Sequence, residues 1–382
     1  MSVQKICIIG DGLAGLSAAV ILSHNNITID LYSDNKSNNK LKKDNRTTAI
    51  SESSYQFIKR ELNFKRKNMF WPCKEVNLFY EDKKNIKNFL NFKPKNKNSM
   101  YIFQNMELKK NLIKQIYNKK NIKLIKKNIS NIDYKNGSVM INKKNFFYDL
   151  IILSIGSNSK LYSKITQGRS IEKNYEEIAL TTVIKHNSKI NKSSQFFLKD
   201  GPLAILPFSK NLFSVVWSIS NNFYQKNNKL LKKILNTKIK LLLNNIKIEN
   251  IKNIQTFPIH LNLKINYFKK NILILGDGLH SVHPMAGQGF NLVLRDIKKL
   301  SELMLKTGKL GLLFKNSQIL NDFYQTRKPE NTILGLGINL TNIFFKDNKY
   351  FSPIRKIILN NISEFGFIKK ISQTISDKGI SN

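Results

Sequence analysis

Apolar positions fall into short runs along this chain, and their spacing switches between a strand period and a helix period. Residues 3–9, unbroken in apolar character from Ile6 to Ile9, predict a strand buried on both faces. Residues 14–24, rich in Ala and Leu, predict a helix, and 27–32 alternate as a second strand, so the chain opens as a βαβ unit. Residues 35–45 are polar and loop-like. Helices are predicted from about Ser51 to Leu62 and over 104–120, the second with Leu108, Leu112, Ile113 and Ile116 on one face. Between them, 73–98 alternate weakly. Residues 122–148 read as three short strands around a hairpin turn at Asn136-Gly137, and 149–155 as another buried strand. The middle then changes character. Short strands are predicted over 177–186, 194–199, 203–207 and 212–220, followed by a Lys/Leu helix over 226–246 and a strand over 251–260. From 272 the α/β pattern returns, and after about 290 the chain is helical.

This order predicts an α/β (α+β mixed) protein: a Rossmann-like domain, an inserted and mostly antiparallel β-sheet domain, and a helical C-terminus. The expected boundaries are 1–72, 99–162 and 265–340 for the discontinuous nucleotide domain, 73–98 and 163–264 for the inserted domain, and 341–382 for the C-terminal region.

Chemistry enters at two glycine-rich turns. Gly10-x-Gly12-x-x-Gly15, with Leu13 and Ala14 opening the helix, follows a strand directly. The first Gly permits the tight turn, the second a close approach of backbone to a pyrophosphate, and the third close helix–strand packing. The helix start then offers free N–H groups to phosphate. The acid expected some twenty residues on is missing, which leaves Ser33 or Asp34 to meet the ribose. The second turn spans 274–292: strand, Gly276-Asp277, His283-Pro284, then Gly287 and Gly289 before a helix from Phe290. Asp277 at a strand end suits ribityl hydroxyls, Pro284 fixes a turn beside the ring, and the helix start aims N–H groups at a ring carbonyl that gains charge on reduction. Two such elements suggest one long dinucleotide held at both ends, and FAD fits. Arg46, opening Arg46-Thr47-Thr48-Ala49-Ile50 at the expected start of a helix, is a candidate for the phosphates or the ring. Arg is scarce here, which favours a specific role. His280-x-x-His283 lacks a third metal ligand, so no metal is expected.

The net charge of +39 would ordinarily suggest nucleic acid, but only 7 of the 64 basic residues are Arg and the Lys are scattered through every segment. No nucleic-acid partner is expected; an anionic membrane surface, which needs only diffuse charge, is. Two cysteines exclude a disulfide framework and suit a reducing cytosol. No apolar run is long enough to span a bilayer, and the N-terminus does not read as a signal peptide. Ile354, Ile357, Ile358, Ile362, Phe365 and Ile368 recur at near-helical spacing, flanked by Arg355, Lys356, Lys369 and Lys370. Such a helix either lies in the headgroup layer or packs as core. Alternation also puts Leu203, Ile205, Val215 and Trp217 on shared faces; with Pro207 they are expected to floor an apolar substrate pocket.

Together these segments resemble the aromatic-ring flavin monooxygenases of the para-hydroxybenzoate hydroxylase type, and more narrowly the ubiquinone-biosynthesis hydroxylases. The resemblance runs through both glycine turns, Gly201-Pro202-Leu203-Ala204-Ile205-Leu206-Pro207, Val215-Val216-Trp217-Ser218, Phe257-Pro258-Ile259, Pro284-x-Ala286-Gly287-Gln288-Gly289-x-Asn291-Leu292 and Tyr324-x-x-Arg327-Lys328. It implies Gly10, Gly12 and Gly15 on the pyrophosphate, Arg46 and Asn105 at the flavin, Asp277 on the ribityl chain, and Gly289, Phe290 and Asn291 at the pyrimidine edge. Two positions depart from the family pattern: Ser33 stands for the usual acid, and Ile155, before Gly156, for an Asp associated with FAD and nicotinamide contacts. The implied reaction is hydroxylation of a polyprenylated phenol on the route to ubiquinone, with FAD as cofactor, NAD(P)H as reductant and O₂ as co-substrate. Other ubiquinone-biosynthesis proteins are expected partners, and the inner membrane the site of peripheral attachment from the cytoplasm. His280 and His283 lie nearest the expected ring, with no general base assigned. An isoprenoid-lipid reductase of the same fold and a non-catalytic flavoprotein scaffold remain the alternatives.

Overall fold

The computed structural model describes residues 3–24, 26–33, 44–64, 69–83, 85–127, 129, 131–157, 159–188, 190–244, 246–316 and 318–346, with isolated positions 355, 358, 359, 377 and 379. A six-stranded sheet forms the nucleotide half, in the order Phe268–Lys269, Ile272–Ile274, Leu150–Leu153, Gln4–Ile9, Ile27–Ser33 and Ile122–Lys126. Its pairs are parallel except the first, which is antiparallel. The near-continuous apolar runs follow from burial on both faces: Ile6, Ile8, Ile29, Leu31, Ile151 and Leu273 are fully buried. Helices Leu13–Leu22, Asn105–Tyr117 and Gln288–Lys309 contribute to the same core.

The middle of the chain forms a nine-stranded sheet. Its order is His280–Ser281, Gln255–Lys264, Ser170–His186, Leu212–Ser220, Gly201–Ser209, Ser193–Leu198, Val76–Asp82 and Asn85–Phe92, with Ile248–Ile251 pairing beside Ser170–His186. The weakly alternating 73–98 stretch thus supplies two of its strands, and Val76–Asp82 joins Ser193–Leu198 in a parallel pair. One face of this sheet is covered by the amphipathic helix Leu231–Leu242, whose Leu231, Leu235 and Ile239 are buried against it. A small sheet of Thr47–Ser51, Met100–Gln104 and Trp71–Cys73 lies between the two halves in sequence.

Several expectations needed adjustment. Arg46-Thr47-Thr48 opens a strand, not a helix; the helix starts only at Glu52, capped by the Ser51 side chain. The expected 226–246 helix is two, Asn221–Asn227 and Leu231–Leu242. The Asn136-Gly137 hairpin is present, but Ile122–Lys126 belongs to the nucleotide sheet and 131–147 forms a separate three-stranded meander. Most of 352–374, where the amphipathic segment was expected, lies outside the described residues. Leu359 is described, and it is buried with Tyr80, Phe89 and Phe197. Among the described residues no helix is long and apolar enough to cross a membrane.

Candidate functional site

A cavity of about 800 Å³ lies between the ends of the nucleotide strands and the uncovered face of the nine-stranded sheet. Parallel sheets collect ligands at this edge because loop backbone and helix starts converge there. Gly10 and Gly15 serve the turn itself. A Cβ on Gly10, where φ is +116°, would sit 2.1 Å from the Ser154 carbonyl oxygen, and one on Gly15 would sit 2.0 Å from the Gly10 oxygen. Neither borders the cavity. Gly12 does, with nothing within 4 Å of where its Cβ would be, and Leu13 and Ala14 follow it along the wall. Gly12 caps the first helix and has no side chain to satisfy its N–H groups.

The second helix start repeats this arrangement. Gly287, at φ +63°, caps Gln288–Lys309 without a side-chain bond, and Gly289 again has open space about it. Pro284, Gly287, Gly289 and Phe290 border the cavity, as does Asp277 from the turn after Ile272–Ile274. Asn291 does not. It is buried and braces the loop: its Oδ1 accepts from the Ser51 N–H at 2.9 Å, and its Nδ2 donates to the Gly287 oxygen at 3.1 Å. Its amide is consumed by backbone, so the expected reach to a ring edge is corrected to a supporting contact. Gly276 and Ser33 also lie off the border, and Asp34 is outside the described residues.

Arg46 borders the cavity with its guanidinium held by Asp44 at 2.8–3.1 Å and stacked over the Phe257 ring at 4.7 Å. Burial disfavours its charge, but Asp44, with Asp277 beyond, more than restores it and raises its pKa. Asn105 accepts from the Thr48 hydroxyl at 2.7 Å, and Lys109, one turn along the same helix, reaches Asp11 at 3.2 Å.

The two histidines separate. His280 borders the cavity and its Nε2 lies 2.6 Å from Asp296, which also meets Arg327 at 2.7 Å and Asn331 at 3.1 Å. Full burial would raise the Asp296 carboxyl, yet Arg327 and His280 hold it below the usual range. Arg327 of the Tyr324-x-x-Arg327 motif therefore anchors the loop from behind. His283 is buried away from the cavity, its Nε2 3.1 Å from Glu177.

The expected substrate floor is corrected. Leu203, Ile205 and Trp217 are fully buried under Leu231–Leu242, on the far face of the sheet, and Pro207 shares their parity. The cavity is bordered by their neighbours Ala204, Leu206 and Val216. Alternation identified the two faces, but the bulky one is needed by the covering helix and the smaller one is left open. Sequence reasoning also missed Thr181, Gln195, Phe257 and Lys109. The signal for the first two was there: small or neutral polar residues at positions cross-strand from Val216 and Ala204.

The residues present fit a bound FAD. Two uncapped helix starts and two glycines with open surroundings border one cavity, and Thr47 Oγ1, Thr181 Oγ1, His260 Nε2 and His280 Nδ1 around it are buried without a protein partner. Among the described residues no cluster of His, Cys, Asp or Glu suits a metal.

A family model described as Glucose inhibited division protein A matches residues 5–272, most of the chain. The chain belongs to this family. A second model, described as Squalene epoxidase, matches residues 220–375. A mitochondrial ubiquinone biosynthesis monooxygenase of Dictyostelium discoideum is 27% identical over 264 residues, covering 56% of this chain and 53% of its own. The 3-demethoxyubiquinol 3-hydroxylase of Escherichia coli is 25% identical over 228 residues, covering 59% and 56%. The chain spans about half the length of these curated relatives. The fold is shared with Klebsiella pneumoniae HpxO, solved with FAD and uric acid: TM-score 0.71, 15% identity, 98% of this chain and 97% of that one. The resemblance to ubiquinone-biosynthesis hydroxylases read from the motifs is borne out by these relatives.

Proposed function

We propose that this chain is an FAD-dependent monooxygenase that hydroxylates the aromatic ring of a polyprenylated phenol in ubiquinone biosynthesis. The observation that carries the reading is one cavity with two unlike walls: helix starts and glycine backbone on one side, and on the other a sheet face without Lys or Arg that mixes Val216, Ala204 and Leu206 with Thr181 and Gln195. The balance is one NAD(P)H, one proton and one O₂ per phenol, giving the hydroxylated ring, water and NAD(P)⁺. Bound FAD supplies the redox chemistry, accepting hydride from NAD(P)H and activating O₂.

The residues bind and orient. The Gly12 helix start presents unsatisfied N–H groups suited to phosphate, and Asp277 suits ribityl hydroxyls. Arg46 keeps a fixed positive charge beside the cavity. The start of Gln288–Lys309 favours negative charge at its end of the cavity, which Asn291 keeps in place. Val216, Ala204, Leu206 and Phe257 give the sheet face an apolar part that limits water beside the ring. Curated relatives with the same named activity support this reading over a reductase or a scaffold. The finer expectations, contact with other ubiquinone-biosynthesis proteins and attachment to the inner membrane through the basic 352–374 segment, belong to the same proposal; flotation with anionic liposomes before and after truncation at Asp347 tests the second.

The direct test is reconstitution. The purified protein should turn yellow with FAD at one per chain, and should couple NAD(P)H oxidation to hydroxylation only when a prenylated phenol is present. Asp277→Ala should weaken FAD binding roughly tenfold to a hundredfold, from the loss of one or two hydrogen bonds. A folded protein that stays colourless overturns the proposal.

A further inference from the structure

The strands Leu150–Leu153 and Ile272–Ile274 run parallel, and beyond them the Leu275 N–H still donates to the Leu153 carbonyl at 2.9 Å. Two turns then leave the sheet side by side, 154–156 and 276–278. Ser154, Gly156 and Asp277 border the cavity. Among the described residues no backbone–backbone hydrogen bond joins the two turns. One side chain touches both. Tyr162, from the single-turn helix Lys160–Tyr162, is 2% exposed. Its hydroxyl accepts from the Ile155 N–H at 3.2 Å and donates to the Gly156 carbonyl at 2.8 Å. Burial pushes its pKa up, so it keeps the proton it donates. Ile155 brings no polar side chain to its turn, and Tyr162 holds that turn through backbone. The second turn comes up against the same ring: a Cβ on Gly278 would sit 2.2 Å from the Tyr162 oxygen and 2.4 Å from its Cζ. Gly278 lies outside the left-handed region, so this contact, not its backbone, calls for glycine. The Tyr134 hydroxyl, from the three-stranded meander, donates to the Leu161 carbonyl and supports the single-turn helix from behind.

A FAD spanning this cavity needs both turns at one spacing, Asp277 for ribityl hydroxyls and Gly156 beside it. A site already set in place binds more tightly than one that must be ordered by its ligand. Resting on the FAD reading above, we propose that Tyr162 is a positioning residue for the flavin half of the site: its hydroxyl fixes the turn at 155–156, its ring sets the place of the Asp277 turn, and Gly278 admits the ring. Ser154 is held separately, its N–H donating to the Ile9 carbonyl at 2.8 Å, so the Gly12 end of the cavity does not depend on Tyr162.

The test titrates the FAD-free full chain with FAD and with ADP, which calls on the Gly12 helix start but not on Asp277. Tyr162→Phe should weaken FAD about tenfold and ADP by less than about twofold. A merely structural Tyr162 would move neither affinity, or both alike. Gly278→Ala should weaken FAD about a hundredfold in the unsubstituted chain, yet by no more than about twofold when added to Tyr162→Leu, because the two residues act through one contact. Independent losses from the two substitutions, unchanged FAD affinity in Tyr162→Phe, or equal losses of FAD and ADP overturn the inference, while FAD binding by the unsubstituted chain keeps the hydroxylase reading. A folded unsubstituted chain that binds no FAD overturns both.

Discussion

Adjacent residues of one strand, Val216 and Trp217, fall on opposite faces of the nine-stranded sheet and into different environments. Trp217 is fully buried, edge-on to Phe223 at 5.7 Å and with Lys238 5.0 Å from its ring. Its face also holds Leu203, Ile205, Phe213 and Ile219 against the helix Leu231–Leu242. Val216 borders the cavity with Ala204 and Thr181. The residues all fit the strand period, but one face is filled by the protein's own helix and the other is left for a ligand. Size at alternate positions tells them apart: a face that must close on a helix carries large side chains, and a face that must admit a guest carries small ones.

The largest effect tests the filled face. Trp217→Ala should destabilise the protein by about 3–5 kcal/mol, the range for emptying a large aromatic site in a packed core. Urea unfolding monitored by circular dichroism measures it. A loss under about 1 kcal/mol would mean the covering helix is loosely seated, and the contrast between the faces would fail.

A smaller effect tests the clamp at the edge of the open face. Glu177 meets His283 at 3.1 Å and pairs with Lys346 across the 2.5 Å between Nζ and Oε1. Burial would raise its carboxyl, but His283 and Lys346 together hold it below the ordinary value. A depressed folded pKa gives stability that is complete above the unfolded pKa, about 4.3 for Glu, and is lost as pH falls through the folded one. Glu177→Gln should therefore cost roughly 1–2 kcal/mol at pH 7 and flatten the acid limb of the stability curve. Parallel acid limbs in the two proteins would show that Glu177 contributes no pH dependence.

Much of this was legible from spacing. The βαβ opening, the antiparallel middle and the return to α/β after 272 follow from periodicity, because burial on two faces or one writes different patterns. Gly12, Gly287, Gly289 and Asp277 were found because turn chemistry is local. What was misread is long-range. Which face of Gly201–Ser209 meets the cavity depends on where Leu231–Leu242 folds back, and no strand records that. Asn291 reads as a ligand contact in its motif, yet its amide is committed to Ser51, 240 positions away. The helix expected from about Ser51 starts at Glu52, but the strand Thr47–Ser51 before it was missed, because its partner, Met100–Gln104, is distant in sequence.

The smallest effect on stability carries the sharpest test of the two faces. Ala204 is neighbour to both Leu203 and Ile205, yet a side chain added there grows into the cavity instead of the core. Ala204→Leu should change stability by less than about 1 kcal/mol, because overpacking costs arise only where the new atoms have nowhere to go. The same substitution should weaken binding of a prenylated phenol at least about tenfold, since the added methylenes occupy space the ring needs. A thermal melt and a flavin titration on one preparation read both. If the melt drops by several kcal/mol while binding is kept, Ala204 faces core, and the assignment of the open face is reversed.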